Sequence, residues 1–442
     1  MQNILIRSIE EKLMNPEEDL TYLTAEEQFK RIMDKVSDLP DAVTSGNDLL
    51  DRLRKSKKDG IPLKIKFGID PTGPEIHIGH CVSLINLRLF QRMGHKIVLV
   101  IGDFTAMIGD PSGRIEDRPP LTEEQVKINM ATYEEQASRI INLKDTDIER
   151  YCNSSWMNKI TMKNWVEIIK NISVSQLMQR EDFRKRLNIG VGISLAELEY
   201  ALFMGYDSVS LKPDIELGGV DQFLNLHMCR QMMEISKLKP EIIITYNLLS
   251  GTTGVKDDQG RLVKMSKSKG NYIPIVAEPS DMYGKVMSIP DEVMWIWFRE
   301  LTEITSEDLK DLKSEVEEGI IHPKEAKQLL ARVIVGTFNY FDKGIVAASE
   351  TDFNQKFGGK SVLIPESTQM VNYSEGKSLK EVLSKESAIS KSELVRLVQQ
   401  KGVRMLIGEN YEPVSIEDLS KQSIECKGNI FRVGKRKYIK II

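Results

Sequence analysis

Two strand-like segments that flank a helix-length segment constrain the fold of this chain more than any other feature. Residues 64–69 read as a short buried strand, and residues 97–101 are continuously apolar and mostly β-branched, as strands covered on both faces are. Between them, apolar residues recur at helical spacing until Gly94. We therefore predict a strand, a helix and a parallel strand joined by a right-handed crossover, which is the unit of an α/β fold with a parallel sheet.

The turn after the first strand carries candidate residues for a ligand site. His77, Gly79 and His80 stand at the start of the predicted helix, where unpaired N–H groups and the positive end of the helix dipole favour a phosphate. Capping or core packing is the more common role of a single histidine. Gly79 favours a site, because a residue without a side chain lets a ligand approach the backbone. We therefore predict a nucleotide phosphate at this edge of the sheet.

A second candidate motif follows almost two hundred residues later. Lys264, Ser266, Lys267 and Ser268 alternate ammonium groups with small hydroxyls ahead of a glycine, and such a loop can close over polyphosphate. A Lys/Ser run taken alone is usually a solvated loop. Its occurrence after the histidine motif, with a strand-rich segment between the two, favours a shared nucleotide site.

The two motifs, His-Ile-Gly-His at 77–80 and Lys-Met-Ser-Lys-Ser at 264–268, resemble the two signatures of class I aminoacyl-tRNA synthetases. The resemblance to the bacterial tyrosyl-tRNA synthetases extends from about residue 20 to the C-terminus. It rests on Gly-Ile-Asp-Pro-Thr-Gly (68–73), Ile-Gly-Asp-Pro-Ser-Gly-Arg (108–114), Tyr-Asp-Ser-Val (206–209) and Glu-Leu-Gly-Gly-Val-Asp-Gln (216–222). It implies a Rossmann-type catalytic domain that activates L-tyrosine with ATP, releases pyrophosphate, and transfers tyrosine from the adenylate to the 3′ end of tRNA(Tyr).

The resemblance also implies which residues bind ATP. His77, His80 and Thr72 would hold the phosphates, and Lys264 and Lys267 would clamp the leaving pyrophosphate, so these five are the expected catalytic residues. The expected ATP-binding residues are Gly68, Asp70, Gly79, Gly219, Asp221, Ser266 and Ser268, of which Gly219 and Asp221 would bind the ribose. ATP is a substrate, and Mg²⁺ would neutralise its polyphosphate while held mainly by substrate oxygens. No pattern of histidine, cysteine and carboxylate residues in the sequence suggests a structural metal.

In the family, an aspartate that matches Asp207 binds the phenol of the amino acid, and residues that match Asp110 and Tyr200 bind its ammonium group. Tyr200 and Asp207 are seven residues apart, so both would face one side of a helix, two turns apart. The expected amino-acid-binding residues are Lys66, Asp110, Tyr200, Met204, Asp207 and Gln222.

Three positions depart from the family pattern. Met204 stands where a glutamine is expected, Val220 where a serine or threonine is expected, and Lys66 where one branch of the family has a tyrosine, although the other bacterial branch tends to carry lysine. Loss of a hydrogen bond to a charged group costs about 1.5–3 kcal/mol, so Met204 is the most serious departure.

Three hypotheses for the function follow. The chain is a housekeeping synthetase, a paralogue that activates a tyrosine-like substrate in a biosynthetic or resistance pathway, or a non-catalytic RNA-binding protein on a synthetase scaffold. The last is disfavoured because the residues of both nucleotide motifs are present, and a pure RNA-binding protein has no need of them.

Charge is unevenly distributed along the chain. The net charge is −4, but residues 376–442 hold 14 Lys and Arg against 8 Asp and Glu, so this tail is basic and the rest of the chain acidic. Such a module suggests a polyanionic partner. From Ser378 the tail reads as two short helices, a turn and a strand pair that ends at residues 431–439. It resembles the small α+β RNA-binding domain first described in ribosomal protein S-four. The expected RNA-binding residues are Lys391, Arg396, Lys435, Arg436 and Lys437.

The pattern along the chain divides it into segments. We predict an N-terminal helical arm (1–60), a catalytic domain (61–275) with a mostly helical insertion at about 115–205, a helical anticodon-arm domain (276–349), a linker rich in Gly, Ser, Thr and Asn (350–376), and the RNA-binding domain (377–442). In the family, the insertion supplies the interface of a homodimer.

Cysteine usage and hydropathy suggest a cytoplasmic protein. The scattered cysteines show neither metal-ligand pairing nor a disulfide framework. No run is long enough to span a membrane, and the N-terminus lacks a secretory signal. Cys81 follows His80 at a helix N-terminus, where the pKa of a thiol could fall, although core packing is its commoner role. The expected partners are tRNA, L-tyrosine and a second copy of the chain.

Overall fold

A computed structural model describes residues 3–15, 18–73, 75–112, 121–144, 148–357, 368–372, 376–407, 410–434 and 437–442. The chain divides into two compact units, residues 1–346 and 347–442. Within the described ranges, no helix combines the length and the apolar character that crossing a membrane requires.

The first unit is built on a parallel five-stranded sheet. Its strands are β1 (Lys64–Ile69), β2 (Lys96–Ile101), β3 (Ile148–Cys152), β4 (Ile215–Gly219) and β5 (Ile242–Tyr246). Their order across the sheet is β3-β2-β1-β4-β5. β1 and β2 pair in parallel from Lys64 opposite Lys96 to Ile69 opposite Ile101, which confirms the predicted strand pair. β1 is therefore central, and a ligand site is expected where the carboxyl ends of β1 and β4 meet.

Helices cover this sheet and extend beyond it. Those of the first unit are α1 (Ile4–Leu13), α2 (Ala25–Met33), α3 (Gly46–Asp59), α4 (Cys81–Arg92), α5 (Thr105–Ile108), α6 (Glu123–Ser138), α7 (Ser154–Met157), α8 (Met162–Ile169), α9 (Val174–Leu177), α10 (Glu181–Asn188), α11 (Leu195–Leu211), α12 (Phe223–Ile235), α13 (Pro279–Met287), α14 (Asp291–Leu301), α15 (Ser306–Glu317) and α16 (Pro323–Phe338), and α17 (Lys343–Phe357) crosses into the second unit. The predicted crossover helix is α4. It is preceded by a 3-10 turn over Ile78–His80, and the chain leaves it through Gly94, whose φ of +82° favours glycine.

Strand β3 lies inside the segment that was predicted to be mostly helical. It pairs in parallel with β2 from Ile148 opposite Ile97 to Cys152 opposite Ile101. The sequence of β3 lacks a continuous apolar run because the strand lies at the edge of the sheet and is mostly half-buried or exposed. An edge strand of this kind gives a weak hydrophobic signal, and so the prediction missed it.

In the described part of residues 1–60, the three elements are the helices α1, α2 and α3, which agrees with the predicted helical arm. Their apolar side chains enter the core, where Ile6, Ile9, Leu49 and Leu53 are buried. The Thr24 side chain caps α2 in a reciprocal capping box with Glu27, which is the usual signal for a helix start.

The second unit contains another five-stranded sheet, with the strand order β6-β10-β9-β7-β8. Its elements are β6 (Gln369–Val371), α18 (Leu379–Ser387), α19 (Lys391–Gln399), β7 (Val403–Ile407), β8 (Asn410–Pro413), β9 (Ile430–Val433) and β10 (Lys437–Ile441). β9 and β10 are antiparallel, which confirms the predicted strand pair, and α18 and α19 are the two predicted helices. The prediction did not include β6, β7 and β8.

The start of the predicted linker is also corrected. Residues 350–357 form the end of α17, although their composition is polar. Phe353 and Phe357, one helical turn apart, have ring centroids 4.9 Å apart, and such an i,i+4 aromatic pair supports a helix. Tyr438 donates a hydrogen bond to the carbonyl of Lys356 at 2.9 Å, which fastens this last turn to β10.

Candidate active site

A cavity of about 760 Å³ lies at the carboxyl ends of the central strands. The structure brings most of the predicted site residues into its lining: Lys66, Gly68, Asp70, Thr72, Gly79, His80, Asp110, Tyr200, Met204, Asp207, Gly219, Asp221, Gln222, Lys264, Ser266 and Ser268. His77 and Lys267 lie beside the cavity and outside its lining. Val220, the second departure from the family pattern, is outside the lining as well.

The two histidines of the first motif stack on each other. Their ring centroids are 3.7 Å apart, and the backbone N–H of His77 donates to Nδ1 of His80 at 3.3 Å. Burial, together with the nearby Lys267 ammonium, lowers the pKa of His77 to about 3 and that of His80 to about 4. Both rings are therefore neutral at pH 7, and His80 is the one that faces the cavity.

Gly79 is required by this stack. A Cβ at Gly79 would lie 3.0 Å from the His77 ring and 3.4 Å from Cβ of Met265. The glycine therefore gives room to the His77 side chain, and it also lines the cavity, where a ligand can approach its backbone. Cys81, which follows the stack, is buried, and burial raises the pKa of its thiol, so the suggested lowering of that pKa is wrong.

The second motif approaches the first across the cavity rim. Nζ of Lys267 donates to the backbone carbonyl of Glu75 at 2.7 Å, which joins the second motif to the segment just before the first. Nζ of Lys264 lies 3.9 Å from Oδ2 of Asp221. The buried side chain of Met265 and the hydrogen bond from Ser266 N–H to Asn271 Oδ1, 2.8 Å, hold the loop in place.

Asp221 and Gly219 lie where β4 ends. Burial raises the pKa of Asp221, while the Lys264 ammonium opposes this rise. A Cβ at Gly219 would lie 2.7 Å from Oδ1 of Asp221, so a glycine at this position leaves space for the carboxylate.

Asp207 lies at the opposite end of the cavity, on α11. It accepts hydrogen bonds from Nε1 of Trp156 at 2.8 Å and from Nδ2 of Asn153 at 3.4 Å. Burial raises its pKa to about 7, although the Lys66 ammonium lowers it. Sequence reasoning missed Trp156 and Asn153, which belong to the turn and short helix after the unrecognised strand β3.

Tyr200 shares one side of α11 with Asp207, and both side chains are buried, which agrees with the predicted spacing. The Tyr200 hydroxyl donates to Oδ2 of Asp70 at 2.8 Å, and Thr105 donates to Oδ1 of the same carboxylate at 2.7 Å. Asp70, predicted only as an ATP-binding residue, is therefore also connected to the amino-acid end of the cavity.

Lys66 is completely buried on β1, and its ammonium group lies among three oxygen atoms. Nζ lies 2.8 Å from Oε1 of Glu216, 2.8 Å from the Ser208 hydroxyl and 3.5 Å from the carbonyl of Met204. Burial lowers the pKa of Lys66, but the combined effect of Glu216, Cys229, Glu241 and Asp207 raises it by more, so the lysine stays charged.

The fold also creates a cluster that the sequence did not predict. Glu216, Cys229 and Glu241 each place a potential metal-ligand atom within 4.8 Å of the others, and all three are buried. They come from β4, from α12 and from the residue before β5, so no local spacing reveals them. The Lys66 ammonium already supplies a positive charge there, and burial, with the neighbouring Glu216, raises the pKa of Glu241 well above its usual value.

The predicted RNA-binding residues of the second unit are exposed where they are described. Nζ of Lys391 pairs with Glu381 at 2.7 Å, and Lys437 donates to the carbonyl of Glu386 at 2.9 Å. Arg396 is 3.5 Å from Glu393. Lys435 and Arg436 lie outside the described residues.

Comparisons with known proteins are consistent with this geometry. Residues 57–352 match the family model described as tRNA synthetases class I (W and Y). The tyrosine–tRNA ligase of Haemophilus influenzae is 39% identical over 402 residues, which cover 91% of this chain and 94% of that protein. The tyrosine–tRNA ligase of Thermotoga maritima is 39% identical over 421 residues, which cover 95% and 98%.

Solved structures share the fold. A C-terminally truncated mitochondrial tyrosyl-tRNA synthetase of Aspergillus nidulans matches with a TM-score of 0.59 at 19% identity, over 80% of this chain and 99% of that one. The tyrosyl-tRNA synthetase of Archaeoglobus fulgidus, solved with L-tyrosine, matches with a TM-score of 0.57 at 17% identity, over 72% and 99%.

Proposed function

This chain belongs to the tyrosine–tRNA ligase family of class I tRNA synthetases, and on that premise we propose that its central cavity carries out both steps of the ligase reaction. ATP and L-tyrosine react there to tyrosyl-adenylate and pyrophosphate, and the tyrosyl group then passes to the 3′ ribose of tRNA(Tyr). The observation that carries the proposal is the cavity itself, which combines both nucleotide motifs with two aspartates at its amino-acid end, the half-buried Asp110 and the buried Asp207.

The nucleotide end of the cavity stabilises the charge that develops on the leaving pyrophosphate. In this proposal, neutral His80 and the Thr72 hydroxyl donate to phosphate oxygens, and the ammonium groups of Lys264 and Lys267 neutralise them. Lys267 has to exchange its bond to the Glu75 carbonyl for one to the substrate, so the loop moves when ATP binds. His77 supports His80 through the ring stack.

The chemistry of the lining suits ATP with Mg²⁺. Thr72, Asp70 and Asp221 offer hard oxygen ligands, which Mg²⁺ prefers, and oxygens of the polyphosphate would complete its coordination. Bound Mg²⁺ would supply further charge neutralisation on the phosphates. The Asp221 carboxylate accepts hydrogen bonds from the ribose hydroxyls, and Gly219 leaves room for it.

The amino-acid end accounts for tyrosine specificity. The phenol hydroxyl donates to Asp207, whose orientation is fixed by the Trp156 N–H. The ammonium donates to Asp110 and to the Tyr200 oxygen, and Asp70 holds the Tyr200 hydroxyl in place. Lys66 acts beside the phenol, where its ammonium, held by Glu216 and Ser208, offsets the negative charge of the Asp207 carboxylate.

Amino-acid-dependent ATP–pyrophosphate exchange tests this proposal. The purified chain is assayed with the standard amino acids and with D-tyrosine, β-tyrosine and ring-substituted tyrosines. Exchange with L-tyrosine alone is expected. Exchange with an analogue in preference to L-tyrosine would favour the paralogue hypothesis that Met204 suggests, and no exchange with any compound would favour the RNA-binding scaffold.

The second unit supplies a candidate surface for tRNA. Lys391, Arg396 and Lys437 are exposed, and in this proposal their partners Glu381 and Glu393 release them to RNA phosphates. Replacement of Lys391 and Arg396 by alanine in the full chain is expected to raise the KM for tRNA and to leave exchange unchanged, because exchange does not require tRNA. Since ribosomes consume the charged tRNA, we place the protein in the cytoplasm.

The insertion offers the surface for a homodimer. Large apolar side chains are exposed on its helices and at the start of α12: Met162, Val166, Val174, Leu187, Ile189, Leu195 and Leu224. Exposed apolar residues concentrated in one region mark an interaction site more often than single ones do. Sedimentation analysis is expected to give a dimer, and Leu195→Asp, at a position with 77% exposure, is expected to weaken it.

A further inference from the structure

A buried arginine from the insertion contacts residues that support the amino-acid end of the cavity. Arg180 precedes α10, and its side chain is 6% exposed. Its Nη1 donates to Oδ1 of Asn225 at 2.6 Å, and its Nη2 donates to the Ser112 hydroxyl at 2.9 Å. Asp182 accepts from the same guanidinium at 2.9 Å, and the Phe183 ring lies under it at 4.9 Å, so the arginine is held on several sides.

The chemistry of arginine fixes the orientation of the amide that it contacts. A guanidinium only donates hydrogen bonds, so the Asn225 atom that faces it has to be the oxygen. The Asn225 amide nitrogen then points the other way, where it lies 2.8 Å from Oε1 of Gln222, 3.1 Å from the Ser112 hydroxyl and 3.3 Å from Oδ1 of Asp110.

The orientation of the Asn225 amide in turn fixes the orientation of the Gln222 amide. Because the oxygen of Gln222 accepts from Asn225, its nitrogen is the atom that faces Asp110, and Nε2 donates to Oδ2 at 2.6 Å. The backbone N–H of Ser112 donates to Oδ1 of Asp110 at 2.9 Å. In this series of hydrogen bonds, from Arg180 through the two amides, each donor therefore points toward Asp110. The Asp110 carboxylate acts only as an acceptor, and it lines the cavity.

We propose that Arg180 is a positioning residue for substrate binding, which orients the amides of Asn225 and Gln222 so that Asp110 presents its carboxylate to the ammonium group of the amino acid. The inference rests on the proposed function, in which Asp110 binds that ammonium. It also explains how the pocket works with Met204, since a methionine gives the ammonium no strong acceptor and Asp110 has to carry more of the binding.

Without Arg180, the Asn225 side chain can flip, so that its amide oxygen and nitrogen exchange positions. Its oxygen would then face the Gln222 oxygen or Asp110, and the bond from Gln222 to Asp110 would lose its support. Arg180→Met removes the donors and keeps a long apolar side chain over Phe183. Because hydrogen bonds that involve a charged group are stronger than neutral ones, we expect the KM for tyrosine to rise at least about tenfold in ATP–pyrophosphate exchange. The KM for ATP should remain within about twofold, because the nucleotide end of the cavity contains no member of this chain of amides.

A matched control lies in the helix that follows Arg180, α10. Arg184 is exposed, so Arg184→Met removes the same charge without touching Asn225, and it should leave both KM values unchanged. Arg180→Lys keeps one charged donor and should restore most of the affinity for tyrosine. A purely structural role would instead lower the midpoint of urea unfolding and affect both substrates alike.

A double-mutant cycle decides whether Arg180 acts through Asn225. Asn225→Leu alone should raise the KM for tyrosine, and Arg180→Met should add no further rise in that background. Additive effects, or an unchanged KM in Arg180→Met, would overturn the inference. A wild-type chain without tyrosine-dependent exchange would overturn the proposed function instead. If another amino acid supports exchange, the same shift is expected in its KM, because its ammonium group is the same.

Discussion

Lys66 and Glu216 face each other across neighbouring parallel strands, with Nζ 2.8 Å from Oε1 and both side chains completely buried. The pair lies under the amino-acid end of the cavity, where the Ser208 hydroxyl also accepts from Lys66. Two buried opposite charges stabilise each other. Removing one of them leaves the other buried without a partner, which strongly destabilises the folded protein.

The Lys66–Glu216 pair should therefore be coupled in stability. Lys66→Met should lower the free energy of unfolding by about 3–5 kcal/mol, because it leaves Glu216 buried without its partner. The double variant Lys66→Met with Glu216→Gln should be more stable than Lys66→Met alone, since no buried charge remains unpaired. Urea unfolding of the two variants and of the wild type measures this. A double variant less stable than Lys66→Met would contradict the coupling.

The carboxyl group of Asp207 should make stability depend on pH. Burial raises its pKa from 3.8 to about 7 in the folded protein, so between about pH 4 and pH 7 the folded chain holds a proton that the unfolded chain has released. This contribution to stability is therefore complete below about pH 4 and is lost as the pH rises through about 7. Urea unfolding at about pH 5 and pH 8 should show that Asp207→Asn removes part of the difference between the two pH values. An identical difference in wild type and variant would argue against the raised pKa.

Selectivity for tyrosine over phenylalanine should depend on the same residue. A site that pairs a buried polar group with the substrate hydroxyl rejects the analogue without it by about 10⁴–10⁵, a magnitude established on tyrosyl-tRNA synthetases themselves. Asp207→Ala should reduce the ratio of kcat/KM for the two amino acids by at least about a hundredfold in pyrophosphate exchange. Trp156→Phe, which removes only the N–H that orients Asp207, should reduce it less. A ratio that stays constant in both variants would exclude Asp207 from phenol recognition.

His80 should act as a neutral hydrogen-bond donor. With a pKa of about 4 it carries no charge at pH 7, so an amide can replace it in part. His80→Asn should retain more exchange activity than His80→Ala, and the activity of the wild type should show no titration of this group between about pH 5.5 and pH 8. Equal losses in the two variants would mean that the donor is not required.

Lys264 should contribute to the rate and not to tyrosine binding. Its ammonium lies on the nucleotide side, 3.9 Å from Asp221. Lys264→Met should lower the kcat of exchange by about 10²–10³, the range for removing one preorganised stabilising group. The KM for tyrosine is the control and should not change. A change confined to the KM for tyrosine would show that Lys264 acts at the amino-acid end of the cavity, which contradicts this assignment.

Met204→Gln should strengthen the binding of L-tyrosine if tyrosine is the substrate. Met204 lines the cavity four residues after Tyr200 on the same helix, so a glutamine there adds an acceptor next to the ammonium site. One such bond is worth about 1.5–3 kcal/mol, and the KM for tyrosine should fall by about tenfold or more. An unchanged KM would show that the pocket already satisfies the ammonium without this position.

The sequence by itself determined the features that depend on local pattern. The spacing of apolar residues predicted β1, β2 and the helix between them, and a seven-residue interval placed Tyr200 and Asp207 on one side of α11. The two nucleotide motifs were recognisable from their own residues, and most of the residues predicted for the site do line one cavity. Side-chain periodicity and short motifs are properties of neighbouring residues, so they can be read before the chain folds.

Only the tertiary structure decided the contacts between distant segments. It added β3 to the sheet, although an edge strand carries little hydrophobic signal, and it brought Trp156 to Asp207. It placed His80 in the lining of the cavity and His77 behind it. It also assembled Glu216, Cys229 and Glu241 from β4, from α12 and from the residue before β5, and connected Arg180 with Asp110. These relationships arise from packing and hydrogen bonding between residues far apart in the chain, for which local spacing carries no information.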